Sequence, residues 1–366
     1  MPVQNGRDLD RFIAFPYDHY RDDPLWVPQL RRDVRTLLSA DKNPFFEHAE
    51  AQYWMALRDG RTVGRIGAIK NDVHNKEHGD RVGFYGFFES IDDQAIANAL
   101  FDTAAAWLRS RGFATMRGPM SPSTNDECGL LIENNGTPPS LMMPYNPPYY
   151  EKLHARYGFT KAKDLWAYEG GGAEMPDERV SRIAERATKR AGVRLRPLNM
   201  KRFKEEVELV KVLYNRAWEK NWGFVPLTNA EIDHLAGQLK PIVVPDLVVF
   251  AERGSELVGF GVGLPDLNLA LLHNRSGKMF PGILKVLWYA RKISRARILL
   301  LGIIPEFRGK GIDAALYHWI WINSVKHGMM RGEAGWILED NDVMNRGAVA
   351  LGFRHSKTYR VYDKPL

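Results

Sequence analysis

Apolar and polar positions along the chain run through the same succession of periods twice. Gln52 to Leu57 and Val63 to Lys70 are short apolar runs joined by Arg58-Asp59-Gly60-Arg61. Asp-Gly between such runs signals a hairpin, because both residues tolerate the left-handed backbone of a tight turn. Leu247 to Ala251 and Leu257 to Leu264 flank Glu252-Arg253-Gly254-Ser255 in the same way. A third strand-like run follows each hairpin, Val82 to Phe88 and Ile298 to Ile304. The period then becomes helical. Ile96, Ala99, Leu100, Thr103, Ala104, Trp107 and Leu108 share one face, as do Ile312, Ala315, Leu316, Trp319 and Ile320. Another strand comes next (Ala114 to Arg117; Gly335 to Leu338), then a helix ending in Gly-Phe (Gly158-Phe159; Gly352-Phe353). Each half closes on an aromatic-rich strand, Asp164 to Glu169 and Lys357 to Asp363. The pattern predicts an α/β fold made of a duplicated β-β-β-α-β-α-β unit.

The sharpest break is Gly170-Gly171-Gly172, which reads as a turn or linker. Pro176-Asp177-Glu178 reads as a helix start with acidic residues in its first turn. The expected division is therefore a domain over 1–170, a linker helix over 171–192 and a domain over 193–366. The 366-residue length allows two domains or one large one. At 45% hydrophobic residues the chain has enough apolar surface to offset its ordering entropy, which excludes disorder as its main state. Cys128 has no partner cysteine in the chain, which excludes a disulfide scaffold. Met1 to Leu30 is rich in Asp, Arg and Pro without an apolar core, and no run approaches the ~20 apolar residues of a membrane span. A cytoplasmic globular protein is the expectation. The net charge of +7 favours anionic partners, among them phosphorylated cofactors, lipid head groups and nucleic acid. No nucleic-acid motif accompanies it, and no nucleic-acid role is expected.

The chemistry concentrates at Leu299-Leu-Leu-Gly-Ile-Ile-Pro-Glu-Phe-Arg-Gly-Lys-Gly-Ile-Asp313. A strand runs into Pro305, then a loop with Gly309 and Gly311, then a helix beginning near Ile312. Free backbone N–H groups at such a helix start bind phosphate, glycines let the oxygens approach, and Arg308 and Lys310 add charge. The string Ile304-Pro305-Glu306-Phe307-Arg308-Gly309-Lys310-Gly311-Ile312 resembles the acyl-CoA pyrophosphate loop of the GCN5-related N-acetyltransferase (GNAT) superfamily. Asn341, eleven residues before Gly352, resembles the family's second motif. Two positions depart from the family. Asp313 stands where the loop usually ends in Gly or Ala, and Ala348 stands where a Tyr often protonates the departing thiolate.

The resemblance implies two GNAT-like domains, each a mixed, mostly antiparallel sheet flanked by helices, the second binding acetyl-CoA or another acyl-CoA. Ile303, Ile304, Arg308, Gly309, Lys310, Gly311, Ile312 and Asn341 would hold that co-substrate, its pantetheine lying between the strands Ile298–Ile304 and Gly335–Leu338. An amine would attack the thioester directly, with Glu306, Glu339 or Asp340 as base and Tyr359 or Tyr362 as a substitute acid. The acceptor is an amine of a small molecule or a protein. The alternative is a non-catalytic acyl-CoA or small-ligand sensor on the same fold. The first half lacks the glycines: Ser90-Ile91-Asp92-Asp93 follows its third strand, so this half is not expected to bind CoA. Its long loop puts Asn125, Asp126 and Glu127 forward as acceptor contacts. The second half carries an insertion, Asp266 to Arg295, whose run Ile283 to Ile293 reads as a helix covering the pocket. A basic amphipathic run of this kind also suits a membrane surface. The ten histidines show no metal-binding spacing, and no metal is expected.

Overall fold

Both expected hairpins form. Asp59 and Gly60 turn the first with positive φ, and Gly254 turns the second. The computed structural model describes residues 1–172, 178–219 and 221–366. From the N-terminus the chain forms α1 (Gly6–His19), α2 (Arg31–Leu37), β1 (Ala49–Arg58), β2 (Arg61–Asn71), α3 (Asp72–His78), β3 (Val82–Ser90) and α4 (Gln94–Arg109). Next come β4 (Thr115–Gly118), β5 (Met120–Ser121), β6 (Glu127–Cys128), β7 (Leu130–Asn134), α5 (Tyr149–Tyr157) and β8 (Thr160–Gly171). The second half runs α6 (Glu178–Ala191), β9 (Arg194–Pro197), α7 (Phe203–Trp218), α8 (Asn229–Leu239), β10 (Val248–Arg253), β11 (Glu256–Pro265), α9 (Asn268–Leu271) and α10 (Gly282–Ala290). It ends with β12 (Arg295–Ile303), α11 (Ile312–Lys326), β13 (Arg331–Leu338), α12 (Asp342–Ala350) and β14 (Arg354–Pro365).

The chain divides into two compact units. Unit 1 holds residues 1–165, 268–290 and 357–366; unit 2 holds 166–267 and 291–356. This differs from the expected division at 171–192. Each half lends its closing strand to the other unit: residues 166–171 of β8 lie beside β13, and β14 pairs with β4 through Tyr362↔Gly118. Gly170 and Gly171 are strand residues, not a linker. A Cβ on Gly171 would stand 2.4 Å from the Met330 carbonyl, and the Gly172 N–H donates to that same oxygen. Close approach of backbones is what these glycines permit. The expected linker helix is α6, described from Glu178 and packed on α11 within unit 2. Pro176 and Asp177 lie outside the described residues. The insertion's helices α9 and α10 belong to unit 1.

In unit 1 the sheet order is β1-β2-β3-β4-β14, antiparallel except for β3–β4. Helix α4 covers it with Ala97, Leu100, Phe101, Ala104, Ala105 and Leu108. This face is rotated from the expected one, because Phe101 stacks on Phe88 at 4.5 Å and turns Ala99 outward. In unit 2 the order is β9-β10-β11-β12-β13, antiparallel except for β12–β13. Ile312, Ala315, Leu316 and Ile320 of α11 bury against it, as their spacing predicts. Both sheets are the mixed, mostly antiparallel kind that the family resemblance implies.

Candidate functional site

In unit 2 the strands β12 and β13 begin as neighbours and then part. Arg295–Ile298 pair in parallel register with Arg331–Ala334 and the ladder ends there, though β12 continues to Ile303 and β13 to Leu338. The parting coincides with a bulge. Val262 faces Leu300 and Gly263 faces Ile298, leaving Leu299 without a partner on β11. A bulge bends its strand and sharpens the local twist, so β12 follows β11 and leaves β13. The apex is fastened by a buried ion pair between register partners. Arg297 Nη1 lies 3.2 Å from Glu333 Oε1, and Arg297 Nη2 donates to the Gly335 carbonyl at 2.9 Å.

Beyond the bulge, amides alternate between the two sides of β12. Ile304 N–H donates to the Val258 carbonyl at 3.0 Å, so it belongs to the ladder with β11. Ile303 therefore turns its N–H and carbonyl to the parted side. Of the two adjacent residues expected to present backbone groups there, only Ile303 does so. Its carbonyl receives Arg308 Nε at 3.2 Å.

The loop then turns through Pro305–Phe307 into Gly309 and Gly311, with φ of +70° and +79°. Gly311 is the N-cap of α11, and no side chain caps the helix. The first helical bond runs from Ala315 N–H to the Gly311 carbonyl at 3.3 Å. The amides of Ile312, Asp313 and Ala314 have no acceptor inside the helix, which makes this terminus an anion site. Arg308 is exposed, but its guanidinium is engaged by backbone carbonyls. Its Nη2 donates to the Ala217 carbonyl at 2.7 Å, at the negative end of α7, so it fastens the loop to that helix. Lys310 is exposed, its Nζ 4.3 Å from the Phe307 ring centre. A cavity of about 260 Å³ opens beside the first turns of α11. It is lined by Asp313, Ala314 and Tyr317, by Met344 and Gly347 of α12, and by Arg179, Val180 and Ile183 of α6.

Asn341 caps α12, accepting the Met344 N–H at 3.3 Å. Asn345, which sequence reasoning missed, is buried and donates to the carbonyls of Leu338 and Glu339. It also accepts from Tyr168 OH at 3.0 Å. It fixes the end of β13, and no motif marks it. Glu339 follows β13 and is half-buried. Glu306 is 60% exposed, with Arg216 Nη2 at 3.2 Å. Asp340 and Asp342 are exposed. Tyr359 and Tyr362 lie in unit 1, buried on β14, where Tyr359 pairs with Leu131 of β7. The tyrosine at the cavity is Tyr317, whose hydroxyl is pushed well above its ordinary value by burial and by Asp313.

Unit 1 has the same parting of strands, with different contents. The β3–β4 ladder ends at Phe84↔Arg117. Beyond it a Cβ on Gly86 would stand 1.7 Å from the Met120 carbonyl, and Phe87 N–H donates to Ser121 Oγ. The β5 segment thus fills the gap. Asp93 caps α4 by accepting from Ala95 and Ile96, which places a carboxylate where unit 2 has open amides. Nearby, Glu89 Oε2 accepts Tyr20 OH at 2.5 Å and Tyr150 OH at 2.8 Å, and His19 Nε2 is 3.2 Å from the hydroxyls of Tyr149 and Tyr150. These residues are scattered from His19 to Tyr150, so no local motif announced them.

Burial, reinforced by Glu89 and Asp126, raises the Glu127 carboxyl from 4.5 to about 7. The folded state therefore keeps a proton that the unfolded chain has lost. Between about pH 4.5 and 7 this group makes stability fall as pH rises. Glu127→Gln should remove that fall and leave the protein more stable than wild type at pH 8 by about 2 kcal/mol. Denaturant melts of both proteins across this range check it; parallel curves would contradict it.

A strand pair that parts after a bulge, leading into a glycine loop with open amides, places the protein in the GNAT fold class; unit 1 repeats the parting strands without the open loop. Among solved structures the chain resembles a tandem GNAT protein from the clavulanic acid biosynthesis pathway, with TM-score 0.58 and 14% identity, covering 100% of this chain and 97% of that one. It also resembles a GCN5-related N-acetyltransferase from Sphaerobacter thermophilus, with TM-score 0.51 and 14% identity, covering 97% and 90%. No family model matches. Among characterised proteins the chain is 38% identical to the bacterial ceramide synthase of Caulobacter vibrioides, covering 100% of this chain and 97% of that one. It is 36% identical to protein YghO of Escherichia coli, covering 99% and 94%. The chain belongs to the family of these two proteins.

Proposed function

We propose that the protein is an acyl-CoA-dependent N-acyltransferase that forms a ceramide-type amide. The donor is a long-chain acyl thioester of CoA, and the acceptor is the amine of a long-chain amino alcohol. The uncapped start of α11 behind the Gly309–Gly311 loop carries the first part of this reading. Full-length likeness to a ceramide synthase supports the second. The amides of Ile312, Asp313 and Ala314, with Lys310, take the pyrophosphate. Ile303 offers its N–H to the thioester side of the cleft. Arg308 and Asn341 hold the loop and α12 in place from behind.

The amine nitrogen attacks the thioester carbonyl carbon. The C–N bond forms, the C–S bond breaks, the amine gives a proton to a base and the thiolate takes one from an acid. We assign the base to Glu339, at the end of β13, since Glu306 is turned to Arg216 in solvent. We assign the acid to Tyr317, which burial keeps protonated beside the cavity. The expected effects are a fall in kcat of about 100-fold for Glu339→Gln and about 10-fold for Tyr317→Phe. Glu306→Gln should stay within about threefold, as a solvent-exposed position does. Equal losses at Glu306 and Glu339 would contradict the assignment.

Thiol release from a series of acyl-CoAs tests the donor. Faster turnover of a long-chain acyl-CoA than of acetyl-CoA, with a sphingoid base as acceptor, is expected. Acetyl-CoA as the preferred donor would overturn the ceramide reading. Binding of CoA without turnover of any amine would favour the sensor alternative, which Asp313 and Ala348 keep open.

A further inference from the structure

The insertion between β11 and β12 is anchored on one side and bare on the other. Arg275 fastens it to unit 1, donating to the carbonyls of Trp26 at 2.7 Å and Tyr20 at 2.9 Å. Arg31 N–H donates to the Gly277 carbonyl at 2.8 Å, and Asn268 Nδ2 to that of Pro139 at 2.9 Å. Within the insertion the rings of His273 and Tyr289 stack at 3.4 Å, and Val286 of α10 is buried. The opposite face of α10 is apolar and in solvent. Leu284 is 58% exposed, Leu287 59% and Trp288 59%, and Phe280 at the start of the segment is 74% exposed. The three helix positions follow i, i+3, i+4 spacing and so share one face.

The exposed charge along this segment has one sign. No Asp or Glu occurs from Leu267 to Pro305, a stretch whose exposed cations are Arg275, Lys278, Lys285, Arg291 and Lys292, while Arg295 and Arg297 are buried in ion pairs with Asp266 and Glu333. Lys278 and Lys285 are exposed beside the apolar positions, and Arg291 and Lys292 directly follow α10 in sequence. A short helix with bulky apolar side chains on one face, a tryptophan among them, and lysines at its margin matches the boundary of an anionic bilayer. The acyl region receives the apolar side chains and the head groups receive the ammonium groups. A protein partner needs acidic complement on its own surface, and this chain has none in the segment to offer a second copy.

We propose that α10 with Phe280 is a membrane-docking face, which seats the protein on a bilayer containing anionic phospholipid. The proposal deepens the reading of a lipid acceptor and rests on it for its purpose: a long-chain amine resides in the bilayer. No helix among the described residues is long and apolar enough to cross a membrane, so contact of this kind is peripheral.

Sedimentation with vesicles tests the face without any turnover. Vesicles of equal parts phosphatidylcholine and phosphatidylglycerol should bind the protein, and vesicles of phosphatidylcholine alone should bind it at least tenfold more weakly. The variant Phe280→Ser, Leu284→Ser, Leu287→Ser, Trp288→Ser should lose binding at least tenfold. Lys278→Glu with Lys285→Glu should lose it severalfold, and more salt should weaken the wild type in the same direction. Both variants should keep the wild-type melting temperature and CoA affinity. Wild-type protein that ignores both vesicles, or an apolar variant that binds as well as wild type, overturns the proposal. A wild-type dimer that the apolar variant abolishes, with no vesicle binding, also overturns it and makes the face a self-interface. Absence of amide synthesis alongside intact vesicle binding would count against the functional reading and leave the docking face standing.

Discussion

Gly311→Trp should weaken acyl-CoA binding at least about 100-fold in a protein that still folds. Gly311 has φ of +79°, and its hypothetical Cβ already stands 3.0 Å from the Ala187 Cβ of α6. A tryptophan there must hold a left-handed backbone, which costs about 1–2 kcal/mol. It must also project over the amides of Ile312, Asp313 and Ala314, where α11 has no side-chain cap. Two charge-assisted amide–phosphate bonds contribute about 3 kcal/mol or more together. Their loss weakens binding by at least about 100-fold. The melting temperature should fall by only about 2–8 °C. Gly309→Ala is the control. It shares the positive φ, but its Cβ enters open space, so a weaker effect of about tenfold or less is expected. Calorimetric titration with CoA reads both variants. Unchanged affinity for Gly311→Trp would remove the loop from the site.

The second large effect falls on stability. Arg297 and Glu333 are register partners with 2% and 1% exposure at the apex where β12 and β13 part. Arg297→Met removes a buried cation 3.2 Å from the Glu333 carboxylate, which should cost about 3–5 kcal/mol. Arg297→Met with Glu333→Leu removes both charges and should recover most of that loss, because paired apolar replacements take the charge imbalance out of the interior. Arg297 also holds the Gly335 carbonyl at the first step of the parted segment. The double variant should therefore keep stability and still raise KM for acyl-CoA by severalfold. Urea melts separate the first effect and steady-state kinetics the second. An Arg297→Met variant as stable as wild type would show that the pair does not fasten the apex.

The repeat was legible because its signals are local. Asp59-Gly60 and Gly254 mark turns, alternating runs mark β1–β3 and β10–β12, and Gly158 and Gly352 end helices with positive φ. The open loop was legible for the same reason, since Gly309 and Gly311 are adjacent in sequence to the amides they expose. What escaped is whatever depends on contacts across the chain. The exchange of β8 and β14 segments between units follows from strand pairing over roughly two hundred residues, and loop closure over such lengths leaves no local mark. Gly170–Gly172 looked like a linker because glycine runs usually are one. Only the Met330 backbone at 2.4 Å from a Gly171 Cβ shows why glycine is needed. Arg308 was expected to face phosphate, but the nearby end of α7 captures it. Asn345 and Tyr317 sit on helices with nothing distinctive beside them, and their roles come from Tyr168, β13 and the cavity.

The most direct test of the proposed activity is transfer of label from an acyl-CoA to a sphingoid amine. The donor carries an isotope in its thioester carbonyl, and products are separated and weighed by mass spectrometry. The predicted result is one new amide, heavier than the amine by the labelled acyl group less the hydrogen it replaces, formed with one free CoA per turnover and lost in Gly311→Trp. Label that remains in acyl-CoA, or leaves only as free fatty acid, would contradict an N-acyltransferase.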